Sequence, residues 1–230
     1  MTVKCITFDL DDTLWDCEPA LTRAEAVLYR WLACNYPRVG RRYSQAELTA
    51  HRKAYVSQYP ELQHDITLLR KRWLAFILDE ADYGHACVEA GFKVFWLARN
   101  EVALFEGAQA VLKALQGVYR MGAITNGNAD VHHIGIGHYF DFVVTAAEAG
   151  AAKPDGRIFQ LALAKAQVSA PEMVHVGDDP ERDVGGAGAV GMRTIWINAH
   201  QLSWREGKAP DAVIQSLGEL YAVLDDWAQR

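Results

Sequence analysis

Hydrophobic positions change period twice along this chain. Val3-Lys4-Cys5-Ile6-Thr7 is a short β-prone run and predicts a buried strand. From residue 15 to residue 100 the spacing is helical, and nothing there reads as a strand. Pro19 can open a helix within its first turn, and Leu21, Ala24, Val27, Leu28, Trp31 and Leu32 follow on one face. That helix should stop near Tyr36-Pro37, because the residue before a proline avoids the α region. Ser44-Gln45-Ala46-Glu47 has the form of a capping box and predicts a second helix start. A third helix is expected from Asp65, carrying Leu68, Leu69, Trp73, Phe76 and Ile77, and a fourth from about residue 83 to 99 with Val88, Phe92, Phe95 and Trp96.

From Phe105-Glu106-Gly107 onward, strands and helices alternate. A helix over 108–115 leads to a strand over 121–125 that ends in Asn126-Gly127-Asn128. A short helical region, a strand over 142–145 and the loop Ala151-Ala152-Lys153-Pro154 follow. A helix over 158–167 precedes a strand over 173–176 ending in Gly177-Asp178-Asp179-Pro180. Then come a helix near 182–190, a strand over 194–197, a weak strand over 212–214 and a helix behind the capping box Ser216/Glu219. Repeated βα units imply a mostly parallel sheet covered on both faces. The expected class is therefore α/β: a Rossmann-like, mostly parallel sheet with helices on both faces, plus an inserted all-helical domain. Residues 1–14 and 106–230 would form the core and 15–105 the insert.

Composition narrows the function. Half of the 230 residues are hydrophobic and 23% are charged, as in an ordinary globular protein. Residues 15–106 carry 12 basic and 12 acidic residues, so the net charge of -6 resides outside that span, and no region is basic enough to suit nucleic acid. The four cysteines (Cys5, Cys17, Cys34, Cys87) form no C-x-x-C pair and read as reduced thiols. The N-terminus enters a strand directly, and no apolar run approaches membrane-spanning length. The expectation is a cytoplasmic protein with no membrane or nucleic-acid partner, its oligomeric state left open.

The chemistry concentrates behind the first strand, where Asp9, Asp11 and Asp12 place three carboxylates in four residues. Such groups repel one another and resist burial unless a cation sits among them. Alone, the run could be an acidic turn with Asp12 as a helix cap. Three further polar groups follow strands: Thr125/Asn126, Lys153, and Asp178/Asp179/Asp183. In an open parallel sheet, ligands bind at the carboxyl ends of the strands, so all four groups point to one cleft. Each has a plain alternative as turn, solvated charge or cap, but four coincidences at strand ends are improbable. The histidines His132, His133 and His138 have no metal-ligand spacing and read as solvated loop residues.

The set Asp9-Leu10-Asp11-Asp12-Thr13, Ile124-Thr125-Asn126-Gly127, Lys153-Pro154-Asp155 and Gly177-Asp178 with Asp183 resembles the four motifs of the haloacid-dehalogenase-like aspartate-nucleophile phosphatases. The helical insert resembles that family's mobile cap. The resemblance implies a phosphomonoester hydrolase acting on a small phosphorylated metabolite. Asp9 would be the nucleophile and Asp11 the acid and base. Thr125, Asn126 and Lys153 would bind the phosphoryl oxygens, with Thr125 and Lys153 also catalytic. Mg²⁺ would be the cofactor, held by Asp9, Asp178 and the backbone carbonyl of Asp11, with Asp183 in support. Asp179 remains open between helix cap and metal-site support. The runs Asn126-Gly127-Asn128-Ala129, His64-Asp65 and Val174-His175-Val176-Gly177-Asp178-Asp179 further resemble a bacterial branch acting on flavin mononucleotide. On the third helix, His64, Arg70 and Trp73 are candidates to meet a flat ring, although Trp73 also falls on the apolar face. The rival readings are a phosphomutase using the same core and a receiver-like phospho-aspartate signalling module. Dehalogenation is disfavoured because it has no leaving alkoxide for Asp11 to protonate.

Overall fold

A computed structural model describes residues 2–205 and 207–229. The chain divides into two compact units: the stretch up to Asp16 joined with everything from Ala103 on, and the segment Cys17–Val102. Strand β1 (Cys5–Phe8) precedes the helical unit, which holds α1 (Cys17–Asn35), α2 (Pro37–Arg42), α3 (Gln45–Val56), α4 (Ile66–Glu80) and α5 (Val88–Arg99). The chain then alternates through α6 (Ala108–Leu115), β2 (Arg120–Thr125), α7 (Val131–Ile134), β3 (Phe142–Thr145), α8 (Ala146–Ala149), α9 (Gly156–Ala166) and β4 (Met173–Gly177). A π-helical stretch, Pro180–Gly185, runs into α10 (Gly186–Ala189), followed by β5 (Arg193–Ile197), β6 (Ala212–Ile214) and α11 (Leu220–Gln229).

The six strands form one parallel sheet in the order β3-β2-β1-β4-β5-β6. Every residue of β1 and β4 is buried, as a central parallel strand covered on both faces requires. On one face, Ile158, Phe159, Ala162 and Ala166 of α9 pack with Ile124, Val144 and Met173. Each large apolar side chain buried in this way contributes about 1.5–3 kcal/mol. From β1 the chain goes first to β2 and β3 on one side and later to β4, β5 and β6 on the other. That reversal opens a crevice between the carboxyl ends of β1 and β4, where such sheets bind ligands.

The helical unit has its own core, built from Ala24, Leu28, Leu32, Trp73, Ile77 and Phe95 among others. Trp73 is fully buried there and donates its indole N–H to His51 Nδ1 at 3.1 Å. Arg70 is buried over the Phe95 ring, 3.4 Å from its centroid, and pairs with Glu25 at 2.9 Å. The side chains of Trp73 and Arg70 are thus committed to the interior of this unit rather than presented to a ring.

Three element boundaries differ from expectation, each for a local reason. Pro37 ends α1 but also starts α2, because its fixed φ suits a first helical turn. Helix α5 begins at Val88 rather than near residue 83, since Asp82 and Gly84 take left-handed φ values of 55° and 64°. The helix expected near 182–190 opens as a π-helical turn behind the Asp179 cap. Among the described residues no helix is long and apolar enough to cross a membrane, and all four cysteines are free thiols.

Candidate active site

Asp9 stands one residue beyond β1, where its N–H donates to Val176 O at 2.9 Å and prolongs the β1–β4 ladder. The chain then turns sharply. Asp12 adopts a left-handed φ of 61°, a conformation that aspartate tolerates better than most residues, and its N–H bonds Trp15 O at 2.8 Å. This turn brings the Trp15 indole N–H to Asp11 Oδ1 at 2.9 Å. It also sets the Thr13 hydroxyl to donate to Asp178 Oδ1 at 2.9 Å. Asp178 follows β4 and is further fixed by the Trp196 indole, which bonds its carbonyl at 2.8 Å.

Lys153 arrives from the loop before α9. Both ends of the Asn126 amide grip its backbone: Nδ2 donates to Lys153 O at 3.0 Å, and Oδ1 accepts from Lys153 N at 2.7 Å. Thr125 is buried at the end of β2, its Oγ1 accepting from Gly127 N at 2.9 Å. The Lys153 ammonium, itself buried, reaches Asp9 Oδ1 at 2.7 Å, Asp183 Oδ1 at 2.6 Å and Ile124 O at 3.0 Å. Close packing allows this. A Cβ on Gly186 would come 2.9 Å from Pro154 Cα, and one on Gly177 would come 2.3 Å from Asp183 Cγ.

Asp183 is the most heavily bonded carboxylate. Its Oδ1 faces Lys153 and His175 Nε2, the latter at 3.1 Å, and its Oδ2 accepts from Asp179 N at 3.1 Å. Burial alone would raise the Asp183 carboxyl, but Lys153 and His175 outweigh it and hold it below the usual range. Asp9 goes the other way, although it shares the same ammonium. Burial pushes it well up, with Lys153 opposing and the charges of Asp183 and Asp178 adding to the rise. Burial also raises Asp178 to about 6, with the charge of Asp183 adding to it and the Thr13 hydroxyl opposing. Asp179 accepts from Glu181 N and Arg182 N at 2.9 and 2.8 Å, so its carboxylate acts as the helix cap.

Oxygen atoms of Asp9, Asp178 and Asp183 lie within 4.8 Å of one another. Asp183 has both oxygens engaged by protein donors, whereas Asp9 and Asp178 each give one oxygen to a side chain. Two raised carboxylates facing each other at the switch point are a hard-oxygen donor set that fits a divalent cation, whose charge would reverse both shifts. Among the residues nominated from sequence, Asp9, Lys153, Asp178 and Asp183 meet here, with Asn126 behind Lys153. Thr13, grouped from sequence with Asp9 and Asp11, supports Asp178, and the sequence assigns no role to Trp15, Thr7 or His175. The available signal for these three is polarity inside strands that otherwise read apolar, and an indole four residues beyond Asp11.

Comparison with known proteins places the chain. The haloacid dehalogenase-like hydrolase model matches residues 3–191. A protein of Escherichia coli strain K12, 5-amino-6-(5-phospho-D-ribitylamino)uracil phosphatase YigB, is 33% identical over 96% of both chains. Glyceraldehyde 3-phosphate phosphatase of Pyrococcus abyssi is 31% identical over 85% of this chain and 81% of that one. Among solved structures, one described as 2-haloacid dehalogenase from Pseudomonas syringae pv. Tomato DC3000 superposes with a TM-score of 0.91. It is 40% identical and covers 98% of this chain and 100% of that one. The chain belongs to the haloacid dehalogenase-like hydrolases, and within them it is a phosphatase.

Proposed function

We propose that this enzyme is a Mg²⁺-dependent phosphomonoester hydrolase of the cytoplasm, working through an aspartyl-phosphate on Asp9. The observation that carries the chemistry is the buried Lys153 ammonium, bonded to Asp9 and Asp183, with Asp11 tied to Trp15 two residues on. Asp9 Oδ attacks phosphorus as the bond to the substrate alkoxide breaks, and Asp11 gives that alkoxide its proton. Asp11 then takes a proton from water as the water oxygen attacks phosphorus. The bond to Asp9 breaks, and the products are the alcohol and inorganic phosphate. Lys153 and the Thr125 hydroxyl hold the transferring oxygens, and Asn126 holds the loop that presents Lys153. A Mg²⁺ ion held by Asp9, Asp178 and the Asp11 carbonyl, with Asp183 in support, would supply positive charge against the phosphoryl oxygens. The helical unit is the proposed cap, the source of substrate selection.

The substrate we favour is a small metabolite with a 5-phosphoribityl arm on a flat heteroaromatic ring. The E. coli relative is named for such a compound, and flavin mononucleotide carries the same arm. With Trp73 and Arg70 buried in their own unit, recognition of the arm is a better-supported reading than stacking on the ring. Free reduced cysteines support the cytoplasm as compartment.

Dehalogenation is favoured by the description of the Pseudomonas structure and opposed by Asp11, whose proton a departing halide does not need. The test measures phosphate and halide release from phosphoribityl compounds, flavin mononucleotide, sugar phosphates and 2-haloacids. Phosphate release with the highest kcat/KM on phosphoribityl compounds is expected, and isomerised sugar phosphate would indicate a mutase. Asp9→Asn should cut turnover by orders of magnitude in a folded protein. Near-native activity in that variant would remove Asp9 from the mechanism.

A further inference from the structure

Behind the site, a line of buried polar groups runs Thr7–His175–Asp183–Lys153–Asp9. Thr7 and His175 are register partners on β1 and β4, at the same level of two strands that are otherwise apolar. Both are essentially excluded from solvent, so their polar atoms must satisfy each other or nearby groups. Thr7 Oγ1 lies 3.0 Å from His175 Nδ1 and 3.2 Å from Val174 O, and its single proton serves one of them. His175 Nε2 lies 3.1 Å from Asp183 Oδ1, a carboxylate oxygen that only accepts. The arrangement that satisfies both ring nitrogens places the ring proton on Nε2, facing Asp183, and has the Thr7 hydroxyl donate to Nδ1.

We propose that His175 is a positioning residue for Lys153, acting through Asp183 and set in its tautomer by Thr7. The proposal rests on the reading of Lys153 as the group that holds the transferring oxygens. Asp183 has one oxygen shared by two donors and the other pinned by the Asp179 N–H, so its carboxylate plane is fixed at three points. Lys153 is then shared between a fixed carboxylate and Asp9 at nearly equal distances, 2.6 and 2.7 Å. Without the His175 donor, Asp183 Oδ1 answers to Lys153 alone, and the pair relaxes toward each other at the expense of the Asp9 contact. His175 touches no reacting atom. Its edge-on contact with the Phe159 ring, centroids 5.4 Å apart, makes packing the competing explanation for a histidine here.

Two variants separate these explanations. His175→Leu keeps apolar bulk and loses the donor, whereas His175→Gln keeps an N–H donor at the end of a side chain of similar reach. Each is measured for kcat, KM, inhibition by orthovanadate and thermal unfolding. The Leu variant should lose about 10- to 100-fold in kcat with KM changed little, as loss of an outer hydrogen-bond partner commonly does. Vanadate inhibition should weaken by a similar factor, and the Gln variant should recover most of both. A folded Leu variant within twofold of the parent overturns the proposal, as does a Gln variant as impaired as Leu. If the Leu variant does not fold, Thr7→Val carries the test: it removes only the tautomer-setting hydroxyl and should lower kcat several-fold at unchanged KM. An unchanged kcat there overturns the proposal. Near-native activity in Asp9→Asn would instead sink the aspartyl-phosphate mechanism on which the role of Lys153 rests, so the two failures are distinct.

Discussion

At the scale of single residues, the proposed acid and base depends on a neighbour outside the motif. Asp11 has an oxygen 2.9 Å from the Trp15 indole nitrogen, and Trp15 is wholly buried. Trp15→Phe keeps most of the ring and deletes the donor, leaving Asp11 freer to rotate. The expected result is a kcat lower by roughly tenfold with KM near the parent value, and a stability loss of about 1–3 kcal/mol. Steady-state kinetics with urea unfolding checks both, and an unchanged kcat would show that Asp11 needs no such support. Trp15 also marks a limit of sequence reading. Asp9, Lys153, Asp178 and Asp183 could be grouped because each lies at or beyond a strand end. The indole's partner depends on the left-handed backbone at Asp12, which no periodicity reveals. His175 was equally hidden: one polar residue in Met173–Gly177 is visible, but its partnership with Thr7 follows only from the β1–β4 register.

At the scale of elements, the placement of Lys153 is a packing problem between its loop and α10. Gly186 opens α10 against that loop, where a Cβ would stand 2.6 Å from Phe159 Cε2, 2.9 Å from Pro154 Cα and 3.0 Å from Pro154 O. Two of those three neighbours are backbone and yield only by moving the loop. Gly186→Ala should therefore destabilise the protein by about 1–3 kcal/mol and lower kcat as Lys153 shifts. Gly188→Ala, on the same helix with open space around it, should be neutral or stabilise by about 0.5–1 kcal/mol. Equal effects at the two positions would refute the packing argument. The alternation of βα units, the parallel sheet and the helical insert were all legible from hydrophobic period. Less legible were the places where backbone conformation overrides it: the second start at Pro37, the left-handed Asp82 and Gly84 before α5, and the π-helical turn that carries Asp183 inward beneath Gly177. Bulges of that kind recur at functional sites, and here it lets a residue five beyond Asp178 return to the strand end.

At the scale of the whole molecule, the carboxylate cluster ties stability to pH and to metal. The Asp178 carboxyl rises from an ordinary 3.8 to about 6 on folding, and Asp9 is raised as well. A raised acid contributes stability that is present below its unfolded value and lost as pH rises through its folded value, so these two groups weaken the metal-free protein above about pH 4. His175, pushed down by burial, has the opposite sign below 6.5, and Asp183, held down, acts only below 3.8. A raw stability profile therefore mixes opposing contributions. The difference between Mg²⁺-loaded and chelated protein isolates the ligands, because the His175 contribution enters both forms and largely cancels. A divalent ion binds ionised carboxylates and competes with their protons. The Mg²⁺-induced rise in Tm should therefore be larger at pH 7 than at pH 5, and Asp178→Ala should shrink it at pH 7. Thermal scans of parent and variant, with saturating Mg²⁺ and with chelator, measure all of this without any substrate. A rise of the same size at both pH values, or one untouched by Asp178→Ala, would take the metal away from Asp9 and Asp178.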